Sequence, residues 1–285
     1  MQKVEGSKTR ERSESFKDHY SQAKLFWNSL SKPEKHHLVE AAHFELGKVD
    51  IKGIRERLVY HFSFIDADLA EQVSKGIGVT TISAESKKIV ESVQESPMQT
   101  TGKKTVEKSK AVSMKNTVKN TIKSRRVAIW VADGVNSDEV LQMKDTLTSS
   151  GAQVVVISKF LGTVQGANGD NLEVDQNAIT TSSVLFDAVF IPGGKHVEML
   201  KQEGAAVHFI SEAYKHCKAI AASGKGVELL VEAKVRAADA TDSGAEKGVI
   251  VAADFSSSPD FIGKFIEAIA QHRHWNRGEK EIIPA

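Results

Sequence analysis

Apolar positions in the first quarter of the chain return every three or four residues, the period of an α-helix and not of a strand. Phe16, Tyr20, Ala23 and Trp27 form one such series. "SKPE" at 31 to 34 has the Ser-x-x-Glu form of a capping box, with Pro33 early enough to be tolerated, and the helix it opens can run to Gly47. Ile51, Ile54, Leu58, Val59 and Phe62 lie on one face of a third segment over 51 to 62, and a shorter one starts near Asp66. Residues 13 to 79 are therefore predicted to be a helical array without a βαβ unit. Three or four helices over roughly 65 residues make a small core, so this array is expected to pack against something else.

The pattern changes twice more. From about 80 to 124 there is no aromatic residue, serine and threonine abound, and nine lysines face four glutamates. This composition predicts a solvated linker between a segment over 1 to 79 and a domain over 125 to 285. Beyond Ser124, short apolar runs alternate with helical periods. "RVAIWVAD" (126 to 133), "AQVVVIS" (152 to 158), "FDAVFIPGG" (186 to 194), "KAIAAS" (218 to 223) and "GVIVAAD" (248 to 254) read as buried strands. Helices are predicted over 137 to 151, with Ser137 as N-cap and Gly151 past the end, and over 195 to 203, 205 to 216, 225 to 232 and 258 to 274. Such alternation predicts an α/β domain: a parallel sheet covered on both faces, a flavodoxin-like three-layer α/β/α fold with its crevice at the carboxyl ends of the strands. The whole chain reads as α plus α/β.

Composition narrows the function only by exclusion. With 285 residues the chain has room for two modest domains. Thirty-eight basic against 37 acidic residues leave a formal charge of +1, so no global field points to nucleic acid or a membrane. The basic linker lacks the interleaved aromatics of a nucleic-acid surface. A single cysteine, Cys217, leaves no internal disulfide and no cysteine-based zinc site, which suits a reducing cytoplasm. The N-terminus has no apolar signal core, and no window approaches 18 apolar residues, so neither secretion nor membrane spanning is expected. The histidines at 36, 37, 43, 61, 208 and 216 show no compact metal spacing. "GKG" at 224 to 226 lacks the full phosphate-loop spacing.

Candidate chemistry gathers where three predicted strands end: Asp133-Gly134, Pro192-Gly193-Gly194 and Ser223-Gly224. Gly193 and Gly194 can offer backbone N–H groups to an oxyanion, and Ser223 would be the hydroxyl exposed at a strand-to-helix turn. The same residues also fit three tight βα turns with no chemistry. On these motifs residues 126 to about 274 resemble the class I glutamine-amidotransferase-like domain of the PfpI type. Ser223 then stands at the nucleophile position, Glu139 at the acid position, and "IPGG" at the oxyanion turn. The family's thiol is missing, and Cys217 lies six residues too early. A serine hydroxyl needs a paired base, and no histidine follows Ser223 until His272 and His274 in the predicted closing helix. Ser223, Glu139, Gly193 and Gly194 are accordingly read as a vestigial pocket, with no catalytic residue and no metal expected.

A second resemblance covers residues 5 to 285. "RERSESFKDHYSQAKLFWNSLSKPEKHHLVEAAHFELGKV" resembles the helical segment that follows the haem-binding barrel of monofunctional catalases, and "AIAQHRHWNRGEKEIIPA" resembles the ending of their large-subunit members, which carry a PfpI-like domain behind a linker. The resemblance implies a family that disproportionates hydrogen peroxide at a buried haem, with a proximal tyrosine on the iron and a distal histidine and asparagine. In the family those residues precede the region matched here. Tyr20, Tyr60 and Tyr214 match none of them, so haem is implied for the full-length family and no cofactor for this chain. The implied partner is a catalase haem-barrel domain or subunit, within a cytoplasmic homotetramer. Two functions follow as expectations: a structural, assembly or holdase-like module without turnover, or a PfpI-like hydrolase or amidotransferase using Ser223 and Glu139.

Overall fold

A computed structural model describes residues 18–93, 106–235 and 248–277, together with positions 6, 9, 10 and 16. The chain divides into two compact units, Met1–Thr117 and Val118–Ala285.

The first unit is helical: α1 (Ser21–Ser29), α2 (Lys32–Gly47), α3 (Lys52–Ser63), α4 (Ala67–Gly76) and α5 (Ala84–Val93). Its core joins Trp27, Val39, Leu46, Val59, Leu69 and Val73. At the start of α2 the capping-box serine is in place, with the Ser31 backbone N–H donating to Glu34 Oε2 (2.7 Å). Asp66 caps α4 by accepting from the N–H groups of Asp68 and Leu69, an arrangement that contributes about 1 kcal/mol. Ile51 and Ile54, assigned by period to the packed face of α3, are 63% and 38% exposed, while Val59 is buried.

The stretch predicted to be a linker contains ordered structure, and two carboxylates explain why. Glu56 on α3 accepts from the Ser83 N–H (3.1 Å), the Ser83 hydroxyl (2.6 Å) and the Ser86 hydroxyl (2.9 Å), which tie down the start of α5 and hold the acid at about 2. Glu34 takes the Ser113 hydroxyl (2.8 Å) and the Met114 N–H (2.7 Å), anchoring the 3-10 turns Lys110–Val112 and Met114–Asn116. Serines that read as linker composition serve as donors to these two acids.

The second unit is built on a six-stranded parallel sheet in the order β5-β2-β1-β6-β7-β8. The strands are β1 (Arg126–Trp130), β2 (Gln153–Ser158), β5 (Gln176–Asn177), β6 (Ala188–Ile191), β7 (Ala219–Ser223) and β8 (Val249–Ala252). Leaving out the two-residue edge strand β5, the order is that of a doubly wound sheet. In β1 side chains alternate between faces: Val127 and Ile129 enter one core, Ala128 and Trp130 the other. The first core is closed by α6 (Ser137–Ser149) and α10 (Phe261–Ala270) through Val140, Met143, Leu147, Phe261 and Phe265. The second is closed by α7 (Val197–Gln202), α8 (Gly204–Lys215) and α9 (Gly226–Glu232) through Leu200, Phe209, Ile210, Leu229 and Leu230. The three layers predicted from alternation are present.

Three details differ from the sequence reading. Ser137 is the first residue of α6 and not its cap: Asn136 holds that place, while the Ser137 hydroxyl donates to Asn168 Oδ1 (2.7 Å). α10 ends at Ala270, so His272, with φ of 68°, and His274 lie beyond the helix. An antiparallel hairpin, β3 (Gly162–Gln165) and β4 (Asn171–Val174), precedes β5. Its four-residue strands flank "GANGD", too short a stretch for a period to be counted. Among the described residues no helix is long and apolar enough to cross a membrane.

Candidate functional site

The parallel register brings the three predicted loops together. β6 pairs with β7 through Ile191↔Ala222, and β7 ends one residue later at Ser223, so Gly193 and Ser223 leave the sheet side by side. The Asn136 N–H donates to the Gly193 carbonyl (2.9 Å) and the Lys195 N–H to the Gly134 carbonyl (3.0 Å), which stitches the β1 loop to the β6 loop. Gly194 has φ of 130°, and a Cβ there would press on the Gly134 carbonyl and the Asn136 N–H, so glycine is required for the two loops to approach.

Glu139, brought in by the first turn of α6, is the centre of this junction. Its Oε2 accepts the Ser223 hydroxyl at 2.5 Å and the Gly193 N–H at 2.8 Å, while its Oε1 accepts Asn136 Nδ2 at 2.9 Å. All four groups predicted for the pocket therefore lie at one place, but their mutual bonding closes it. Ser223 is 0% exposed and Glu139 is 6% exposed. The Gly193 N–H, an oxyanion donor on the sequence reading, is already satisfied by a carboxylate. Asn136 was not singled out from sequence, although its spacing of three before Glu139 puts it on the same turn.

Among the described residues no histidine is bonded to Ser223, and the only base beside its hydroxyl is the Glu139 carboxylate. His274 donates its backbone N–H to the Cys217 carbonyl, and His272 Nε2 lies 3.6 Å from Asp187 Oδ1. Both partners are at the amino ends of strands, about 20 Å of extended chain from the end of β7. His196, just before α7, is the histidine nearest in the fold, its Nδ1 3.0 Å from where a Gly194 Cβ would sit. It is 0% exposed, and burial holds it down at about 4. The Trp130 backbone pulls weakly the other way, yet neither ring nitrogen meets a partner at hydrogen-bond geometry. Cys217 is buried at the opposite end of β7, with φ of 58°.

The described tyrosines do not fit the role of a haem iron ligand. Tyr20 shares a 2.7 Å hydrogen bond with His61 Nδ1, Tyr60 donates to Glu91 Oε1 (2.7 Å), and Tyr214 is buried with the Arg277 guanidinium 4.5 Å over its ring. No group of three or more His, Cys, Asp or Glu among the described residues is placed to hold a metal ion.

A doubly wound α/β domain with a buried serine at the strand-to-helix turn after β7, preceded by a helical unit, defines the class. Residues 13–77 match the family described as catalase-related immune-responsive, and residues 123–279 match the C-terminal domain found in long catalases. The chain belongs to the catalase family and corresponds to the C-terminal part of its long members. It is 39% identical over 277 residues to a catalase of Alkalihalophilus pseudofirmus and 40% identical over 279 residues to Catalase-2 of Bacillus subtilis, covering 97% of this chain and 37% of each relative. Catalase-B of Dictyostelium discoideum is 33% identical over 286 residues, covering 99% of this chain and 38% of that protein. The chain thus spans little more than a third of the length of these curated relatives.

Proposed function

We propose that this chain serves a large catalase as an assembly and stability module, seated on the haem-bearing portion of a tetramer in the cytoplasm and performing no turnover itself. The reaction it supports is the disproportionation of hydrogen peroxide. The observation that carries this reading is the closure of the elbow: the Ser223 hydroxyl is fully buried and bound to Glu139, which also takes up the Gly193 N–H. An acyl-transfer site would need that hydroxyl open to substrate and that N–H free to receive an oxyanion. Phe44 at 66%, Ile51 at 63% and Phe26 at 46% exposure give the helical unit apolar surface of the kind that packs against a partner.

The test is a haem spectrum and a peroxide-decomposition assay on the purified chain, alone and after mixing with a separately expressed haem-barrel portion. Activity or thermal resistance gained on mixing, with none from the chain alone, supports the module. Turnover by the lone chain overturns it. The direct pairing of Ser223 with Glu139 favours a second reading, a PfpI-like hydrolase or amidotransferase, and a covalent adduct of Ser223 with a serine-directed probe would establish that one instead.

A further inference from the structure

The amino end of the sheet in the second unit carries a cluster that neither the elbow nor the assembly reading uses. Asp187, just before β6, is the only carboxylate among the described residues at hydrogen-bond or ion-pair distance from it. Its Oδ2 accepts the Arg126 N–H (3.0 Å). Its Oδ1 faces Arg125 Nη1 at 3.3 Å, His272 Nε2 at 3.6 Å and Arg273 Nη1 at 3.9 Å. Lys218, 4% exposed, stands in the same field and donates to the Ser183 carbonyl and, at 3.2 Å, to the Ser183 hydroxyl. The other carboxylate acting on Lys218, Glu212, is bound one helical turn away to His216 (3.2 Å).

One carboxylate thus faces two guanidinium groups, with the Lys218 ammonium bound nearby to Ser183. Partly buried charge of one sign is ordinarily matched by a partner. The surplus acts on its neighbours: burial first, then the Arg273 charge, pushes Lys218 down to about 8, and burial followed by Arg273 and Arg125 pushes His272 down to about 4. The guanidinium groups keep donors in hand. A guanidinium has five N–H groups; Arg125 uses one on Asp187, and Arg273 uses one on the His272 carbonyl (2.9 Å). No nitrogen of either is among the buried unsatisfied atoms, and their side chains are 20% and 18% exposed, so the remaining donors open toward solvent.

We infer that Arg125 and Arg273 form a binding site for a doubly charged tetrahedral oxyanion of the phosphate class, with Asp187 holding the two guanidinium groups in place. Paired guanidinium forks match tetrahedral oxyanions by geometry as well as by charge, a recognition that lysine does not reproduce. The ligand is either free phosphate or the phosphate of a monoester.

The experiment titrates the full chain with inorganic phosphate and, in a second arm, with glycerol 3-phosphate, each against sodium chloride at matched ionic strength. Thermal unfolding and calorimetry are the readouts. A saturable rise in the unfolding midpoint with phosphate, absent with chloride, is expected, and tighter binding of glycerol 3-phosphate would assign the site to a monoester. Arg125→Lys and Arg273→Lys keep the charge and should each weaken binding at least tenfold. Backbone amide shifts in the wild-type chain test the site without any variant: phosphate should move the signals of Asp187, Lys218 and Arg273 and leave those of Gly134, Gly193 and Gly224 in place. Equal response to chloride, wild-type affinity in both lysine variants, or shifts confined to the other end of the sheet would each overturn the inference.

Discussion

The two ends of the parallel sheet solve opposite problems. At the carboxyl ends, one acid is surrounded by donors in matching number: a hydroxyl, a backbone N–H and a side-chain amide meet the oxygens of Glu139. At the amino ends one acid, Asp187, is outnumbered by cations whose donors are not used up. The first end has the motif and a closed network. The second has no motif and open valences. A recognisable signature in sequence therefore marks inherited geometry, whereas capacity to bind is set by which polar groups remain unsatisfied.

Each end also holds a histidine that burial keeps from protonating, His196 wholly and His272 partly buried, and acid tests both together. His196 under the elbow and His272 beside Asp187 are held at about 4, below the ordinary 6.5. The sign follows from proton binding: between pH 6.5 and 4 the unfolded chain takes up protons that the folded chain refuses, so stability is complete above 6.5 and is lost as pH falls through 4. Depression of this size corresponds to about 3 kcal/mol per histidine, with less expected from the partly exposed His272. Urea unfolding of the second unit should show this fall. His196→Phe should remove most of it, and a profile flat from pH 7 to 4.5 would contradict the burial argument.

Cutting the acid out of each end separates them next. Glu139→Ala strands the Ser223 hydroxyl, the Gly193 N–H and the Asn136 amide in a dry site, and about 3 kcal/mol of stability should go. Asp187→Asn removes charge from a partly exposed cluster that water and salt can screen, and about 1 to 2 kcal/mol is expected. Added phosphate should raise the stability of Glu139→Ala and of the parent chain alike, leaving their difference unchanged, and should alter the difference between Asp187→Asn and the parent, because only Asp187 touches the two guanidinium groups. Equal losses, both insensitive to anions, would erase the contrast between the two ends.

How much of this was readable in the sequence depends on whether a period or a neighbour decides the structure. Long amphipathic and buried runs announced α2, α3, β1, β2, β6, β7 and β8, because burial of a face imposes its own spacing. The convergence of the loops after β1, β6 and β7 also followed, since parallel strands deliver their loops to one edge, whereas Glu139 entered through the family resemblance alone. The β3–β4 hairpin did not, being too short to repeat. Nor did α5 or the turns over 110–116, whose order rests on single buried acids, Glu34 and Glu56, meeting serines 27 to 79 residues away. Asp187 was invisible for the same reason: nothing local in "FDAVF" tells that Arg125 precedes β1 within reach and that the chain returns past α10 to bring His272 and Arg273.

The smallest expected effect bears most directly on function. Ser223→Ala removes one donor from Glu139 and leaves the Gly193 N–H and Asn136 amide in place, so about 1 kcal/mol should be lost. In the assembly reading that is the whole consequence, and the variant should support the haem-bearing portion of a catalase as well as the parent chain does. In the hydrolase reading the same methyl-for-methylol exchange removes the nucleophile, and any ester or amide cleavage must vanish with it. Measured side by side with Asp187→Asn, which leaves Ser223 untouched at the far end of the strands, the variant separates loss of a reacting atom from loss of stability. A cleavage activity that disappears in Ser223→Ala and persists in Asp187→Asn would return the elbow to chemistry, and its closed network would then have to open for substrate.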